Sequence, residues 1–399
     1  MPISRRTTLT GLAAIGGTLG GVLGAPAILR AQVKPVKIAL ITTLTGPAAS
    51  LGAQQRDGFA LGVKHAGGML GGRPVEVSVL DDELKPDHAL DLARTSVDRE
   101  EVDFVVGPIF SNVLAALLKP AVSRGGFLIS PNAGPSTLAG KGCNANLFVT
   151  AYCNDQVHSV LGAAADDFGY KRAFLMVPNY QAGRDAVAGF KSRFHGEVLE
   201  EVYVPLNQLD FSAELSRVAA AKPDVLYTFM PGGLGINLVK QFKLAGLTVP
   251  VLSSFTVDEA SLPVQGDAAL GWYSAAPWAP NMDNPVNKRF VADYDAEYKG
   301  LPATYAAQAY DAASLLAGAL KQTGGDTTDK AKLRAALQAA PFESVRGPFR
   351  FGVNHYPVQD FYLLKVVKRP DGRLWTQTER RVLTQDVDPF ASECHMAPA

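Results

Sequence analysis

Short apolar runs alternate with longer stretches of helical spacing along most of the chain. Val36 to Thr42 reads as an apolar strand closed by Thr43-Leu44-Thr45-Gly46-Pro47, and a helix follows from Gln54 to about His65. Gly67-Gly68 and Gly71-Gly72 break the chain. Val75 to Leu80 then alternates and ends in Asp81-Asp82-Glu83, and Asp87 caps a helix running to Val97. Between Phe104 and Thr137, two β-branched or aromatic runs flank a segment from Ser111 to Arg124. That segment has Val113, Leu117, Leu118 and Val122 at helical spacing. Strand, helix and strand in this order predict a parallel pair. The loops after Val106 and after Ile129 then lie at the carboxyl edge of one sheet, where open α/β sheets bind ligands. Both are rich in Ser, Gly, Ala and Asn and poor in charge.

The pattern restarts after an extended piece, Leu147 to Tyr152. Helix Asp155 to Phe168, strand Ala173 to Val177 and a turn around Tyr180 lead to a helix ending near Phe194. Strand Val198 to Val204, helix Ser212 to Ala221, strand Val225 to Phe229, helix Gly233 to Leu244 and strand Val249 to Ser253 continue it. After the extended Trp272 to Trp278 come helices over Pro285 to Tyr298, Tyr305 to Gln322 and Thr328 to Ala339. A short extended stretch, Phe349 to Val353, precedes a β-rich Asp360 to Lys368 and an irregular tail. The expectation is an α/β chain with two doubly wound, parallel-sheet lobes. Residues 34–148 with 279–350 form one lobe, and residues 149–278 with 351–399 the other with its tail. Crossings near Leu147–Tyr152, Ser274–Pro280 and Phe349–Asp360 make a three-strand hinge. Such a hinge lets the lobes close on a ligand while each stays rigid.

Charge narrows the partners. Acidic and basic residues balance at 38 each, and no basic run sits beside aromatic residues, which argues against a nucleic-acid groove or an anionic membrane surface. Residues 1–31 read as targeting. Arg5-Arg6 precede an uncharged run from Leu9 to Leu29, dense in Gly and Ala, and Ala25, Ala27 and Ala31 allow cleavage. This resembles a bacterial twin-arginine export signal. Thr8 stands where that pattern prefers Phe, which leaves the general secretion route open. The mature protein is expected in the periplasm. Cys143, Cys153 and Cys394 are the only cysteines. An oxidising compartment implies one disulfide and one leftover thiol. We take Cys143 with Cys394, because a terminal tail needs tying down, with Cys143–Cys153 as the alternative.

Motifs for bond-making chemistry are missing. The chain has no G-x-S-x-G elbow and no H-E-x-x-H. Its histidines at 65, 88, 158, 195, 355 and 395 are dispersed without zinc spacing and read as surface or capping residues. Gly134 to Gly142 fails as a phosphate loop, since five residues separate Gly134 from Gly140 and Gly142 replaces the Ser or Thr that would hold magnesium. Asp81-Asp82-Glu83 lacks the ligand spacing of a calcium loop and reads as a solvated strand end. No metal, cofactor or enzymatic activity is expected.

Several segments carry a family likeness when taken in order. They are the export signal, Leu44-Thr45-Gly46-Pro47, the loop from Val106-Gly107-Pro108 to Ser111, Ile129-Ser130-Pro131-Asn132, Asp210-Phe211-Ser212, and the run Pro302 to Ala312. Together they resemble the periplasmic solute-binding proteins of branched-chain amino-acid type ABC importers, over about Lys34 to Lys368. The resemblance implies a type I periplasmic binding protein fold, a monomer, and delivery of a small molecule to a membrane permease. It also implies that Ser111 and the backbone at Ala133 and Gly134, beside Asn132, hold a ligand carboxylate, with Tyr180 closing from the second lobe. Uncharged donors at loop and helix N-termini suit an anion, and Ser111 is equally suited to capping its helix.

Departures from the family pattern point to the ligand. Amino-acid binders carry an acid for the ammonium group where this chain has Phe255, and a family Tyr is replaced by Leu51. A buried ammonium without a carboxylate is strongly disfavoured. Asp258 or Glu259 would serve if the register shifts by a few positions. Phe255, Leu51, Phe110, Tyr152 and Tyr180 are expected to enclose an apolar body. Arg184 reads as solvent-facing and Trp278 as a candidate cleft wall. The expected ligand is a hydrophobic or aromatic carboxylate lacking an α-amino group, and the alternative is a branched-chain amino acid. A ligand-sensing regulator and an enzyme are the readings from other classes.

Overall fold

The computed structural model describes residues 34–396, so the expected export signal lies outside the described residues. The first sheet contains β1 (Val36–Thr42), β2 (Met69–Leu70), β3 (Arg73–Asp81), β4 (Phe104–Val106), β5 (Phe127–Ser130) and β6 (Leu147–Val149). Their order is β2-β3-β1-β4-β5-β6, and every pairing is parallel except β2 with β3. Helices α1 (Ala49–His65), α2 (Pro86–Asp98) and α3 (Ser111–Ala121) make the crossovers, and α4 (Ser136–Ala139) is a single turn. Strand β1 shows why both faces are covered. Val36, Ile38 and Leu40 enter one apolar cluster, and Ala39 and Ile41 enter another. Successive residues of a strand face opposite ways, so a continuous apolar run requires helices on both sides.

The second sheet is built from β7 (Arg172–Pro178), β8 (Glu197–Val204), β9 (Val225–Phe229), β10 (Val251–Ser254), β11 (Tyr273–Ala276), β12 (Arg350–Phe351), β13 (Pro357–Lys368) and β14 (Leu374–Asp386). Its order is β12-β13-β11-β10-β9-β7-β8, with β14 paired to β13. Helices α5 (Asn154–Asp167), α6 (Gln181–Lys191), α7 (Ser212–Ala221) and α8 (Gly233–Leu244) accompany it, and α9 (Leu262–Gln265) is one turn. Helices α10 (Pro285–Tyr298), α11 (Thr304–Thr323) and α12 (Lys330–Gln338) follow β11. Leu61 of α1 shares a core cluster with Phe290 of α10 and Ala306 of α11. The chain therefore passes between sheets after β6, after β11 and before β12, as a type I periplasmic binding fold does.

Three local expectations are corrected. The tail after Lys368 is not irregular, because β14 pairs antiparallel with β13 and adds an antiparallel edge to a parallel sheet. Its apolar residues are few and its ladder shifts register three times, so alternation is weak in the sequence. Helix α2 begins at Pro86 with Lys85 in the capping position, and Asp87 sits in the first turn. Asp82 is buried rather than solvated and accepts bonds from Thr43 Oγ1 (2.7 Å) and Leu84 N (2.8 Å), tying the ends of β1 and β3 together.

Cys143 and Cys394, at a sequence separation of 251, form a disulfide, while Cys153 is a buried thiol. Cross-links over long loops restrict the unfolded chain by about 2–4 kcal/mol. Replacing Cys394 with Ser is expected to lower the melting temperature by roughly 3–5 °C in a calorimetric scan.

Candidate ligand-binding site

A narrow cavity opens where the carboxyl edge of β4 and β5 faces the second sheet. It is tight: about 20 Å³ is open to the centre of a water-sized sphere, room for little more than one water molecule. Aromatic rings form most of the wall. Tyr152 stacks on Phe255 at 5.3 Å, Phe255 lies 5.9 Å from Tyr305 and 6.3 Å from Phe229, and Tyr180 lies 6.0 Å from Phe110 and 6.2 Å from Phe229. The first-sheet loop supplies Phe110, and the turn at the N-terminus of α6 supplies Tyr180. Phe255 adopts a φ of 53°, in the left-handed region that bulky residues rarely enter. Such strain persists where surrounding packing holds it, and it clusters at functional sites.

The polar end is built by two helix N-termini. Ser111 opens α3 with Phe110 in the capping position, and its side chain makes no capping bond. Ser111 Oγ instead accepts a bond from Asn154 Nδ2 at 3.2 Å, and the same amide donates to Asp185 Oδ2 at 2.9 Å. Both protons of the Asn154 amide are thus used, and the Ser111 hydroxyl proton is left to donate into the cavity. Asp185 is held by Ser136 and Gln181 as well. Among the described residues, the backbone N–H groups of Ala133 and Gly134 have no hydrogen-bond partner. Asn132 donates to Ile109 O at 2.6 Å and lines the cavity beside Ala133.

Seven of the nine expected ligand residues meet here: Ser111, Asn132, Ala133 and, from the aromatic wall, Phe110, Tyr152, Tyr180 and Phe255. Gly134 and Leu51 do not line the cavity. Leu51 is wholly buried in the core, one turn into α1. A Cβ on Gly134 would stand 1.8 Å from Tyr152 O, so this glycine allows the two segments to approach closely. Its own carbonyl then accepts Asn154 N at 2.8 Å, which fixes the start of α5. Trp278 is fully buried and donates to Asn287 Oδ1 at 2.7 Å, away from the cavity, and Arg184 is exposed. Asp258 accepts bonds within its own turn, and Glu259 accepts from Thr376. Neither lines the cavity.

Sequence reasoning missed Asn154, His158, Phe229 and Tyr305 as wall residues. Contrary to the surface expectation, His158 and His355 are buried. His158 stays neutral, because burial pushes its pKa down to about 3. Among the described residues no charged side chain lines the cavity and no cluster of ligating side chains could hold a metal ion.

Asp155, next to Asn154, is buried with one oxygen unpartnered. Burial, and then the neighbouring carboxylate of Asp185, pushes it up to about 8. The folded state holds this proton more tightly than the unfolded chain, so stability is present at low pH. It falls as pH rises from about 4 toward about 8. The Asp155→Asn variant is expected to lose that decline and to melt above the wild type at pH 8, which paired melting curves at pH 5 and pH 8 will show.

The model of the periplasmic binding protein family matches residues 35–372. The chain belongs to that family. A solute-binding protein of an ABC transporter from R. palustris, solved in complex with benzoate, is 32% identical. It superposes with a TM-score of 0.86, covering 91% of this chain and 100% of its own. A second, from Rhodopseudomonas palustris BisB5 in complex with 3,4-dihydroxy benzoic acid, is 32% identical with a TM-score of 0.83, covering 89% and 99%. Leu/Ile/Val-binding protein homolog 6 of Brucella melitensis is 27% identical over 368 residues, 89% of this chain and 93% of that protein. This periplasmic binding protein is accordingly of the ABC-transporter solute-binding kind, whose members bind and hand on small molecules rather than transform them. Among its described residues no helix is long and apolar enough to cross a membrane.

Proposed function

We propose that this periplasmic binding protein captures a small aromatic carboxylate and delivers it to a membrane permease. The observation that carries the proposal is the cavity itself: aromatic walls, neutral donors at one end and no charged side chain among the described lining residues. The ligand carboxylate docks on the Ser111 hydroxyl, the first N–H groups of α3 and the Ala133 backbone, and Tyr180 covers the ring. Helix N-termini bind anions without a fixed cation. An α-ammonium group would find no carboxylate in this wall, so its desolvation would go uncompensated. Benzoates bound by two relatives support the same class. In this reading the protein is exported and acts as a monomer. Residues 34–148 with 279–350 close against residues 149–278 with 351–399, because the contacts to ligand exist only in the closed form.

Calorimetric titration with benzoate and with leucine, isoleucine and valine tests the reading. Benzoate is expected to bind and the amino acids not to bind. Heat from leucine alone would establish the second reading, a branched-chain amino-acid binder, which the names of the Brucella relatives favour. Ser111→Ala is expected to weaken benzoate binding about tenfold or more, since a hydrogen bond to a charged group contributes ~1.5–3 kcal/mol. Unchanged affinity would remove Ser111 from the carboxylate end.

A further inference from the structure

We infer that His158 recognises a hydroxyl group on the ligand, at the end of the ring remote from its carboxylate, so that the ligand is a hydroxylated aromatic acid. This rests on the aromatic-carboxylate reading and narrows it. The first support is position. His158 follows Asn154 by four residues on α5, so the two share a helix face and stand about 6 Å apart along the axis. Asn154 touches Ser111 at the carboxylate end. His158 therefore lines the cavity about one ring length further on.

The second support is the hydrogen-bond chain behind the imidazole. Nδ1 lies 2.7 Å from the Tyr227 hydroxyl oxygen, which lies 3.2 Å from Ala186 O. Tyr227 has one proton and Ala186 O can only accept. The Tyr227 hydroxyl occupies Nδ1 in either tautomer, donating to it or accepting its proton. Nε2 is then the ring nitrogen left for a ligand hydroxyl. The ring is held by Phe229 at 5.0 Å and by Tyr227 edge-on at 6.1 Å, so it cannot turn away. Burial keeps it neutral. A phenolic O–H can donate to Nε2 or accept from it, so it fits either tautomer, and a site built around such a bond discriminates against an isostere that lacks it.

The test is a titration series on the exported, mature protein at pH 7 with benzoate, 4-methylbenzoate and 4-hydroxybenzoate. Methyl and hydroxyl are similar in size, so their ratio isolates the hydrogen bond. Wild type is expected to prefer the hydroxyl compound over the methyl compound about tenfold or more. In His158→Phe that ratio is expected to collapse to within about twofold. Equal affinity for the two compounds in wild type overturns the inference without any variant, as does a preference that survives in His158→Phe. Benzoate binding without a hydroxyl preference removes His158 alone. Binding of leucine with no benzoate bound removes the aromatic reading and this inference together.

Discussion

Replacing Phe255 with aspartate is expected to weaken benzoate binding by at least ~100-fold. The backbone does not oppose the change, because aspartate enters the left-handed region more readily than phenylalanine, and Phe255 already holds a φ of 53°. The loss comes from the side chain. Phe255 is buried against Tyr152, Phe229 and Tyr305. A carboxylate there would have no charged partner among the lining residues and would face the carboxylate of the ligand. At an effective dielectric of about 20 and a separation of about 5 Å, that repulsion is ~3 kcal/mol, which by itself is more than 100-fold. The lost ring contact adds to it. Phe255→Leu keeps the site apolar and is expected to cost only about tenfold, by loss of part of the buried aromatic surface. Titration of both variants with benzoate separates charge from shape. An aspartate variant within tenfold of wild type would place Phe255 outside the ligand's reach and withdraw the specificity argument built on it.

The parts of the site visible in the sequence are those where a strand stops in a polar loop. Ser111, Asn132 and Ala133 follow short apolar runs in that way, and their loops fall at the same sheet edge because the pairing is parallel. Tyr180 and Phe255 stand at equivalent positions after β7 and β10. Helix α5 was expected within a residue of its place, but the burial of its polar face was not. Its first turns, Asn154 to Ser159, are polar yet buried, since α6 and the sheet cover them. Their burial is compensated by specific bonds, such as Gln156 Nε2 to Asp386 Oδ2 at 2.9 Å and Asn154 to Asp185. A hydrophobic pattern cannot report which polar residues of a helix are buried through hydrogen bonds. That is why Asn154 and His158 escaped notice although the helix that carries them was expected. Leu51 lies behind the aromatic wall: α1 begins directly after the turn at Gly46–Ala48 and buries it in the same apolar cluster as Phe110, Tyr152, Tyr180 and Phe255, without lining the cavity.

A comparably large effect is expected where the chain passes between the two sheets. Arg346 and Asp311 form an ion pair at 2.8 Å with side-chain exposures of 2% and 0%. Arg346 Nη1 also donates to Ala151 O (3.0 Å), just after β6, and to Gln359 Oε1 (2.7 Å) on β13. Gln359 Nε2 donates to the same Ala151 carbonyl at 2.7 Å, and Asp311 on α11 accepts from Ser344 and Val345. One guanidinium thus joins two of the crossing segments to a helix, using the planar donor fork that lysine lacks. Removing the acid leaves a buried, uncompensated cation, at a cost of about 3–5 kcal/mol. Asp311→Ala is therefore expected to lower the melting temperature by roughly 4–7 °C. The cost lies in the stranded charge rather than in the pair itself, so Asp311→Leu combined with Arg346→Met should recover more than half of the loss. Arg346→Lys keeps the charge but loses the fork, and should fall between wild type and Asp311→Ala. Melting of Asp311→Ala within 2 °C of wild type would show that the network does not hold the crossing. A double variant no better than Asp311→Ala would show that its bonds, and not its charge balance, are what the fold requires.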